Sequence, residues 1–193
     1  DEAAKLAGEV RKAHKPGTRT IIVVNTVKRA CDLFEQLSKG DDGTTPEGKK
    51  SGPRRKASDS AAAASEPRPR LVLLHSRFRP GDRETAIAAA LAGPPPEGTI
   101  VVSTQVIEAG VDVSATTLFT ELAPWASLVQ RVGRCNRRGE DNENATLFLI
   151  DVPDANAAPY APDDLKAAHA LLEKRTDGVG PAALDQVAKD HAN

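Results

Sequence analysis

The sequence predicts an α/β domain with a mostly parallel central sheet flanked by helices. Three short apolar runs, at 21–25, 70–75 and 99–104, are typical of strands that are buried on both faces, as in parallel sheets. Segments with a helical spacing of apolar residues lie between these runs. Such an alternation of strands and helices is typical of parallel α/β folds.

The amino-terminal part predicts a helix, a strand and a second helix. Leu6 and Val10 stand about one turn apart within residues 1–14, which indicates a helix. The run IIVVN at 21–25 is the first predicted strand. The segment VKRACDLFEQL then places four apolar residues on one helical face: Val27, Cys31, Phe34 and Leu37.

The later part continues the alternation. Pro80, Gly81 and Asp82 predict the start of one helix, and Pro124 suits the first turn of another that runs to about Arg134. The run TTLFTEL is a candidate strand between two stronger ones. The predicted strands are 70–75, 99–104, 116–122 and 145–151, and the predicted helices are 82–91, 124–134 and 163–174.

Residues 38–69 interrupt this pattern, because their only hydrophobic residues are alanines. We expect a poorly ordered surface insertion, since the segment can bury little apolar area to offset its ordering entropy. Residues 43–51, GTTPEGKKS, nearly match a phosphate-binding loop, but Lys50 replaces the Ser or Thr that holds magnesium and no strand precedes the match. The basic run 54–56 is typical of solvated charge, with weak nucleic-acid contact as the alternative.

The composition bounds the class of protein. The 193 residues have a formal net charge of -1, which argues against a general polyanion binder but leaves room for a local basic site. Cys31 and Cys135 form no metal-type spacing and no disulfide framework, so we expect a cytoplasmic protein. We predict no membrane span and no signal peptide. The opening DEAAKLAGEV and the lack of methionine lead us to expect a piece of a larger protein that carries half of a site.

Polar residues follow the apolar runs where the predicted strands end. In open α/β sheets, ligands bind at the carboxyl ends of the strands. We therefore expect one functional edge, formed by Asn25, Thr26, His75, Ser76, Ser103, Thr104 and the loop after Leu122.

The segment VVSTQVIEAGVDV at 101–113 adds candidate contacts to a nucleotide. The Thr104 hydroxyl can donate to a phosphate oxygen, and Gly110 allows a turn or a close backbone approach. Asp112 can accept a hydrogen bond from a ribose hydroxyl or from an arginine. The alternative is an ordinary connection between a strand and a helix, with a capping aspartate.

The segment QRVGRCNRRG concentrates four arginines in ten residues. On a helix, Arg134 shares a face with Arg131 and with Arg137. Two guanidinium groups suit the charge on a transferring γ-phosphoryl group, and Gln130 could orient a water or a phosphate. Gly133 inside a helix costs about 1 kcal/mol relative to Ala, which favours close packing near a ligand over a solvated helix end.

The segments IIVVNT, LLHSRF, STQVIEAGVDV and QRVGRCNRR, in this order, resemble the second RecA-like domain of superfamily 2 helicases. IIVVNT is similar to motif IV, STQVIEAGVDV to motif V and QRVGRCNRR to motif VI, and the resemblance covers most of residues 19–151. The phrase ELAPWASLVQRVGRCNRRG is similar to the CRISPR-associated helicase-nuclease of type I systems. DEAD-box RNA helicases typically begin motif VI with His and have Thr-Gly in place of Cys135 and Asn136. The resemblance implies a RecA-like domain at 1–160 and a helical extension or linker at 161–193.

The resemblance also implies roles for nucleotide-facing residues. Arg134 and Arg137 match the motif VI arginines that reach the ATP γ-phosphate across an interdomain cleft, and Gln130 faces the same cleft. Gly110 and Asp112 match motif V positions that link the nucleotide state to the strand, with the aspartate near the ribose.

Other positions match nucleic-acid contacts of the family. Thr104 matches a motif V hydroxyl that contacts the nucleic-acid backbone. The remaining positions lie where family members track the strand phosphates: Asn25, Thr26, His75, Ser76 and Arg77.

The resemblance implies the motor lobe of an ATP-dependent DNA helicase that moves along single-stranded DNA in type I CRISPR interference, with a CRISPR surveillance complex as a partner. A first RecA-like domain of the same parent chain would hold most of the ATP and Mg²⁺, because this sequence lacks a nucleotide loop and an acidic magnesium motif. We therefore expect the isolated lobe to be inactive. The family's histidine-aspartate nuclease domain is absent too, and we predict no metal site, since His14, His75, His169 and His191 have no metal-type spacing.

Two alternatives stay open at this point. The chain could be a non-catalytic RecA-like module that binds nucleic acid or protein. It could also be the motor lobe of another superfamily 2 enzyme, an RNA helicase or a repair helicase.

Overall fold

The structure, a computed structural model, describes residues 2–39, 67–139 and 141–173. Five strands form one sheet in the order β2-β3-β1-β4-β5, and all neighbouring strands are parallel. The strands are β1 (Arg19–Val23), β2 (Arg70–Leu74), β3 (Thr99–Ser103), β4 (Thr117–Glu121) and β5 (Thr146–Ile150). This confirms the predicted α/β fold with a parallel central sheet.

The helices lie between and beside the strands. They are α1 (Glu2–Ala13), α2 (Val27–Ser38), α3 (Pro80–Leu91), α4 (Trp125–Val132) and α5 (Pro162–Glu173), with 3₁₀ turns at Gln105–Ile107 and Asp154–Asn156. Each predicted helix is present, with its ends within a few residues of the prediction.

Helix α4 ends earlier than the sequence predicts. The prediction that it runs to about Arg134 is wrong, because Gly133 is its C-cap and not an interior residue. Beyond Gly133 the backbone pairs with Ala115, whose N–H donates to Arg134 O at 2.9 Å and whose carbonyl accepts from Asn136 N at 2.8 Å. Arg137 is therefore placed by a turn and does not share a helical face with Arg134. Asn136 makes this turn with a φ of 47°, a conformation that Asn tolerates better than most residues.

Both faces of the sheet are covered, which explains the unbroken apolar runs in its central strands. One face packs against α1 and α2 through residues such as Ile22, Val102 and Phe119. The other face packs against α3 through residues such as Ile21 and Val101. Successive residues of one strand thus enter opposite cores, as the strand period requires.

The order of the strands determines where a ligand would be expected. The chain passes from β1 to β2 on one side of the sheet, whereas it passes from β4 to β5 on the other. The carboxyl ends of β1 and β4 therefore flank the topological switch point, where open α/β sheets commonly bind ligands. Asn25 and Leu122 lie at this point.

Part of the predicted insertion and of the predicted extension lies outside the described residues. This applies to the phosphate-loop match at 43–51 and to the basic run at 54–56. Of the extension, α5 is described, and it packs through Leu165 and Ala168 in a third apolar cluster with Leu122 and Leu128. The boundary at 160 stays a prediction.

No helix in the described ranges is long and apolar enough to cross a membrane. Cys31 and Cys135 are both free thiols.

Candidate functional site

Asn25 joins the carboxyl ends of β1 and β4. Its Nδ2 donates to Leu122 O at 2.8 Å, its Oδ1 accepts from Arg131 Nη1 at 3.0 Å, and its N–H donates to Glu121 Oε2 at 2.6 Å. Asn25 is 2% exposed, so its whole side-chain amide is used inside the lobe. The predicted direct contact of Asn25 with nucleic-acid phosphates does not fit this geometry, and we assign the residue a role in holding the two strands together.

Thr26 and Arg29 continue this edge into α2. The Thr26 hydroxyl accepts from Arg29 N at 3.3 Å and caps the helix. Arg29 Nε lies 2.5 Å from Glu121 Oε1. Burial raises the pKa of the Glu121 carboxyl, and this is opposed by the Asn25 N–H and by the Arg29 charge, which favour the ionised form. The edge therefore contains a buried, paired carboxylate.

The residues after β2 divide into a buried histidine and two exposed neighbours. The His75 ring stacks on Phe78 with centroids 4.1 Å apart, and its Nδ1 accepts from Arg77 N at 3.2 Å. Ser76 and Arg77 are exposed. His75 thus shapes the turn, whereas Ser76 and Arg77 are the groups that face outward from it.

Thr104 connects β3 to the 3₁₀ turn that carries the motif V resemblance. Its N–H donates to Leu74 O at 3.1 Å, and the residue is buried. The next side chain, Gln105, donates through Nε2 to Asn25 O at 2.8 Å. The 3₁₀ turn is therefore tied to both neighbouring strands at its start.

Arg131 occupies the centre of the site and is fully buried. Its Nε donates to Glu108 Oε1 at 2.8 Å, and its Nη2 donates to Tyr160 OH at 3.1 Å. Its Nη1 lies within 3.3 Å of three acceptors, which are Asn25 Oδ1, Thr120 Oγ1 and Glu121 O. A buried guanidinium needs such partners because an unpaired buried charge is strongly unfavourable.

Glu108 and Tyr160 are site residues that the sequence prediction missed. Glu108 accepts from Arg131 Nε and also from Ser127 Oγ at 3.1 Å. A Glu five residues after the end of β3 and an arginine within α4 gave no signal that they would pair. Tyr160 lies ten residues after β5, outside any segment with helicase resemblance, and no sequence pattern indicates its contact with Arg131.

Arg134 is also largely buried, but it is held by backbone oxygens. Its Nε donates to Ile107 O at 3.2 Å and its Nη2 donates to Glu108 O at 2.8 Å. Burial lowers the pKa of the Arg134 guanidinium, the nearby Arg137 charge lowers it further, and Asp112 partly opposes this. Arg134 is thus a fixed cation beside a second cation.

Arg137 and Arg138 are exposed and share one carboxylate. Arg137 Nε lies 2.7 Å from Asp112 Oδ1, and Arg138 Nη2 lies 3.7 Å from Asp112 Oδ2. The Asp112 side chain is 67% exposed, so water screens these pairs and they contribute little stability. Two of the predicted site residues, Asp112 and Arg137, are therefore in direct contact.

Gly110 and Gln130 are the other two residues that the sequence predicts to face the nucleotide. Gly110 has a φ of 82°, and a Cβ there would find no atom within 4 Å. Its glycine is therefore explained by the backbone conformation of the turn, not by close packing. Gln130 is exposed, one helical turn before Arg134. Its predicted place at an interdomain cleft is compatible with this exposure and stays a prediction.

Within the described ranges, no group of three or more His, Cys, Asp or Glu side chains could hold a metal ion. Three guanidinium groups, those of Arg134, Arg137 and Arg138, lie near the exposed Asp112 carboxylate. This arrangement suits an anion with several oxygens, because guanidinium groups donate in a fixed geometry that matches phosphate.

Comparisons with known proteins agree with this geometry. Residues 53–140 match the family model described as CRISPR-associated nuclease/helicase Cas3, C-terminal. A putative CRISPR-associated nuclease/helicase Cas3 from Myxococcus xanthus is 37% identical over 124 residues, which cover 63% of this chain and 16% of that protein. The CRISPR-associated helicase Cas3 of Thermoproteus tenax is 30% identical over 170 residues, covering 87% of this chain and 24% of the relative.

A solved structure shows the same relationship in three dimensions. The crystal structure of T. fusca Cas3-ATP superposes with a TM-score of 0.66 at 25% identity, over 100% of this chain and 23% of that chain. The chain thus spans about a quarter or less of each of these three relatives. The matches confirm the predicted resemblance, because they join the motif order in the sequence to the same fold. The chain belongs to the Cas3 helicase-nuclease family, and its described residues form the second RecA-like domain of that family.

Proposed function

We propose that this chain is the second motor lobe of an ATP-dependent DNA helicase that acts in type I CRISPR interference. In the longer protein it would face a first RecA-like domain that holds ATP and Mg²⁺, and it would move along single-stranded DNA presented by a CRISPR surveillance complex. The family membership supports the helicase class, and the cytoplasm is the expected compartment. The arrangement of arginines supports the role of this lobe in ATP hydrolysis.

The observation that carries the proposal is the positive charge around Arg134 and Arg137. Arg134 is buried and held by two carbonyl oxygens, and Arg137 lies close enough to lower its pKa. The one carboxylate between them, Asp112, is exposed and also contacts Arg138. A site that holds two cations close together, with one exposed carboxylate to offset their charge, favours the binding of an anion.

The γ-phosphate of ATP is the anion that such a pair fits. Negative charge spreads over the equatorial oxygens of a transferring phosphoryl group, and arginine donors stabilise it there. Arg134 is preorganised by its contacts to Ile107 O and Glu108 O, so its orientation costs little during the reaction. Arg137 can exchange its screened contact with Asp112 for a phosphate oxygen, while Gln130 faces the cleft and Asp112 and Gly110 border the nucleotide.

The carboxyl edge of the sheet supports a nucleic-acid contact on a neighbouring surface. Ser76 and Arg77 are exposed after β2, and Thr26 is half-buried at the start of α2. Hydroxyl groups and an arginine are common phosphate ligands in protein–DNA contacts. We assign the strand contacts to Thr26, Ser76 and Arg77. His75, Asn25 and Thr104 are buried, and we assign them a supporting role that shapes the edge from inside.

The Arg137→Ala variant of the full-length protein tests the proposal. We expect DNA-stimulated ATP hydrolysis to fall by about 10³-fold or more, since an arginine that stabilises the transferring phosphoryl group contributes about 10³ to 10⁵ in rate. Thermal unfolding should stay close to that of the wild type, because the Arg137 side chain is exposed and its ion pair is screened.

Arg138→Ala is the matched control, since Arg138 is an exposed arginine of the same turn with a longer contact to Asp112. We expect this variant to keep most of the ATPase activity. Near wild-type hydrolysis by Arg137→Ala would contradict the proposed role of this arginine. If the wild-type full-length protein binds DNA but hydrolyses no ATP, the result would instead support a non-catalytic nucleic-acid-binding module.

The 193-residue chain alone should hydrolyse almost no ATP. The proposal places the nucleotide loop and the magnesium ligands on the partner lobe of the longer protein, so this chain supplies half of the catalytic groups. Steady-state phosphate release from the purified chain measures this, and robust turnover would show that the site is complete without a second lobe.

A further inference from the structure

Tyr160 lies between the 3₁₀ turn Asp154–Asn156 and α5, outside every segment that resembles a helicase motif. Its hydroxyl nevertheless accepts from Arg131 Nη2 at 3.1 Å, at the centre of the buried network. The Tyr160 ring packs against the third apolar cluster, beside α5. The residue therefore connects the segment after β5 to the interior of the lobe.

Tyr160 completes the set of partners around Arg131. Glu108 accepts from the Nε of the guanidinium, and Asn25 accepts from its Nη1. Within the described ranges, Tyr160 supplies the hydrogen-bond acceptor that Nη2 finds. Since the guanidinium is fully buried, removal of the phenol oxygen leaves an N–H without a protein partner.

The contact extends from Arg131 to the candidate phosphate ligand through Glu108. Arg131 holds the Glu108 carboxylate, whereas Arg134 donates to the Glu108 carbonyl at 2.8 Å. The same turn follows Thr104, whose N–H donates to Leu74 O at the carboxyl edge of the sheet, and Gln105 connects the turn to Asn25. One short segment thus contacts both buried arginines and the DNA-facing edge.

We propose that Tyr160 is a positioning residue for ATP hydrolysis, which acts by fixing Arg131 and, through Glu108, the orientation of Arg134. This inference rests on the proposed function. It makes the segment that follows β5 part of the coupling between DNA binding and ATP hydrolysis.

The test uses Tyr160→Phe in the full-length protein, because Phe keeps the ring packing and removes the hydroxyl. We expect the kcat of DNA-stimulated ATP hydrolysis to fall by about ten- to a hundredfold, because a small misplacement of a catalytic group costs up to about 10²-fold in rate. The KM for ATP should change less, since Arg134 acts mainly on the transferring phosphate. Hydrogen exchange at the amides of Ile107 and Glu108 should become faster.

Leu172→Ala is the structural control, since Leu172 packs against the same apolar cluster without a hydrogen bond to Arg131. It should lower thermal stability and leave the kcat of DNA-stimulated hydrolysis unchanged. Glu108→Gln tests the pathway. Combined with Tyr160→Phe, it should lower kcat no further than Glu108→Gln does alone, because both changes act on the orientation of one arginine.

Wild-type kcat and exchange rates in Tyr160→Phe would overturn the inference. An equal loss of kcat in Leu172→Ala would also overturn it, because packing alone would then explain the effect. Arg137→Ala separates this failure from a failure of the proposed function. If Arg137→Ala abolishes hydrolysis and Tyr160→Phe does not affect it, the motor assignment stands and the role of Tyr160 is rejected.

Discussion

Arg131 and Arg137 come from the same short segment, yet they lie in opposite surroundings. Arg131 is fully buried, and its guanidinium meets a carboxylate, an amide oxygen, a phenol and a backbone carbonyl. Arg137 is 44% exposed and contacts one screened carboxylate. The first charge is neutralised within the lobe, whereas the second is available to a ligand.

This difference shows that the count and spacing of arginines do not separate structural from functional side chains. We propose that the balance of charge around each guanidinium separates them. Arg134 lies between the two extremes, since it is buried but held by neutral carbonyl oxygens beside another cation. Substitutions can test this division between arginines neutralised within the lobe and arginines available to a ligand, and the largest expected loss of stability is at Arg131.

Arg131→Ala should destabilise the lobe by about 3–5 kcal/mol, the usual result when one partner of a buried ion pair is removed and the other is left uncompensated. Arg137→Ala should cost less than about 1 kcal/mol, because its ion pair is exposed. Urea denaturation of the chain measures both values. Equal losses of stability in the two variants would mean that the division between a buried and an exposed arginine is wrong.

The partner carboxylates offer a matched pair of substitutions. Glu108→Gln removes the charge that accepts from Arg131, and we expect a cost of about 1.5–3 kcal/mol, typical of hydrogen bonds to charged groups. Asp112→Asn makes the same chemical change beside Arg137 and should cost less than about 1 kcal/mol. The free energy of unfolding of each variant measures this difference. A larger loss of stability for Asp112→Asn than for Glu108→Gln would contradict the prediction.

The sequence predicted the fold well because the central strands of the sheet are buried on both faces. Unbroken apolar runs such as TIVVS marked the central strands, and helical spacing marked α2. It also predicted that Asp112 could accept from an arginine, which is what the structure contains.

The burial and the contacts of individual polar side chains were harder to predict from the sequence. Asn25 follows an apolar run as a surface residue would, yet tertiary contacts bury it against Leu122 O and Arg131. The helical pattern also suggested a common face for Arg134 and Arg137, but pairing of the backbone with Ala115 ends the helix first. Contacts between residues far apart in the chain, such as Arg131 with Tyr160, leave no local pattern.

The turn that presents Asp112 to Arg137 depends on Gly110. Gly110→Ala should cost about 1–2 kcal/mol, because a φ of 82° is unfavourable for residues with a Cβ even where space is available. Gly81→Ala is the control, since a Cβ there also finds open space and its φ is not positive. Thermal unfolding compares the two variants. A neutral Gly110→Ala would show that this turn is not conformationally constrained.

The smallest expected effect is on the pH dependence of stability, and it concerns His14. His14 Nε2 lies 2.9 Å from Glu97 O and its Nδ1 lies 2.8 Å from Thr20 Oγ1. Burial lowers the pKa of His14, and the bond to Glu97 partly opposes this. The folded state thus favours the neutral ring, so stability is full above the unfolded pKa of about 6.5 and is lost as the pH falls below it.

His14→Gln should therefore flatten the loss of stability below about pH 6.5, because the titrating group is removed while a donor and an acceptor remain. The wild-type chain, denatured over the same pH range, is the reference. Denaturation midpoints between pH 5 and pH 8 measure the difference. An unchanged slope in His14→Gln would assign the acid sensitivity to other groups, the buried Glu121 network among them.

The most direct test of the division between the two arginines is a structure of the full-length protein with a non-hydrolysable ATP analogue. We predict that the Arg137 guanidinium lies about 3 Å from a γ-phosphate oxygen in that structure. Its contact to Asp112 should be longer or lost. Arg131 should keep its hydrogen bonds to Glu108 and Asn25. A structure with both lobes closed on the nucleotide, in which Arg137 stays on Asp112 and Arg131 turns toward the phosphates, would contradict it.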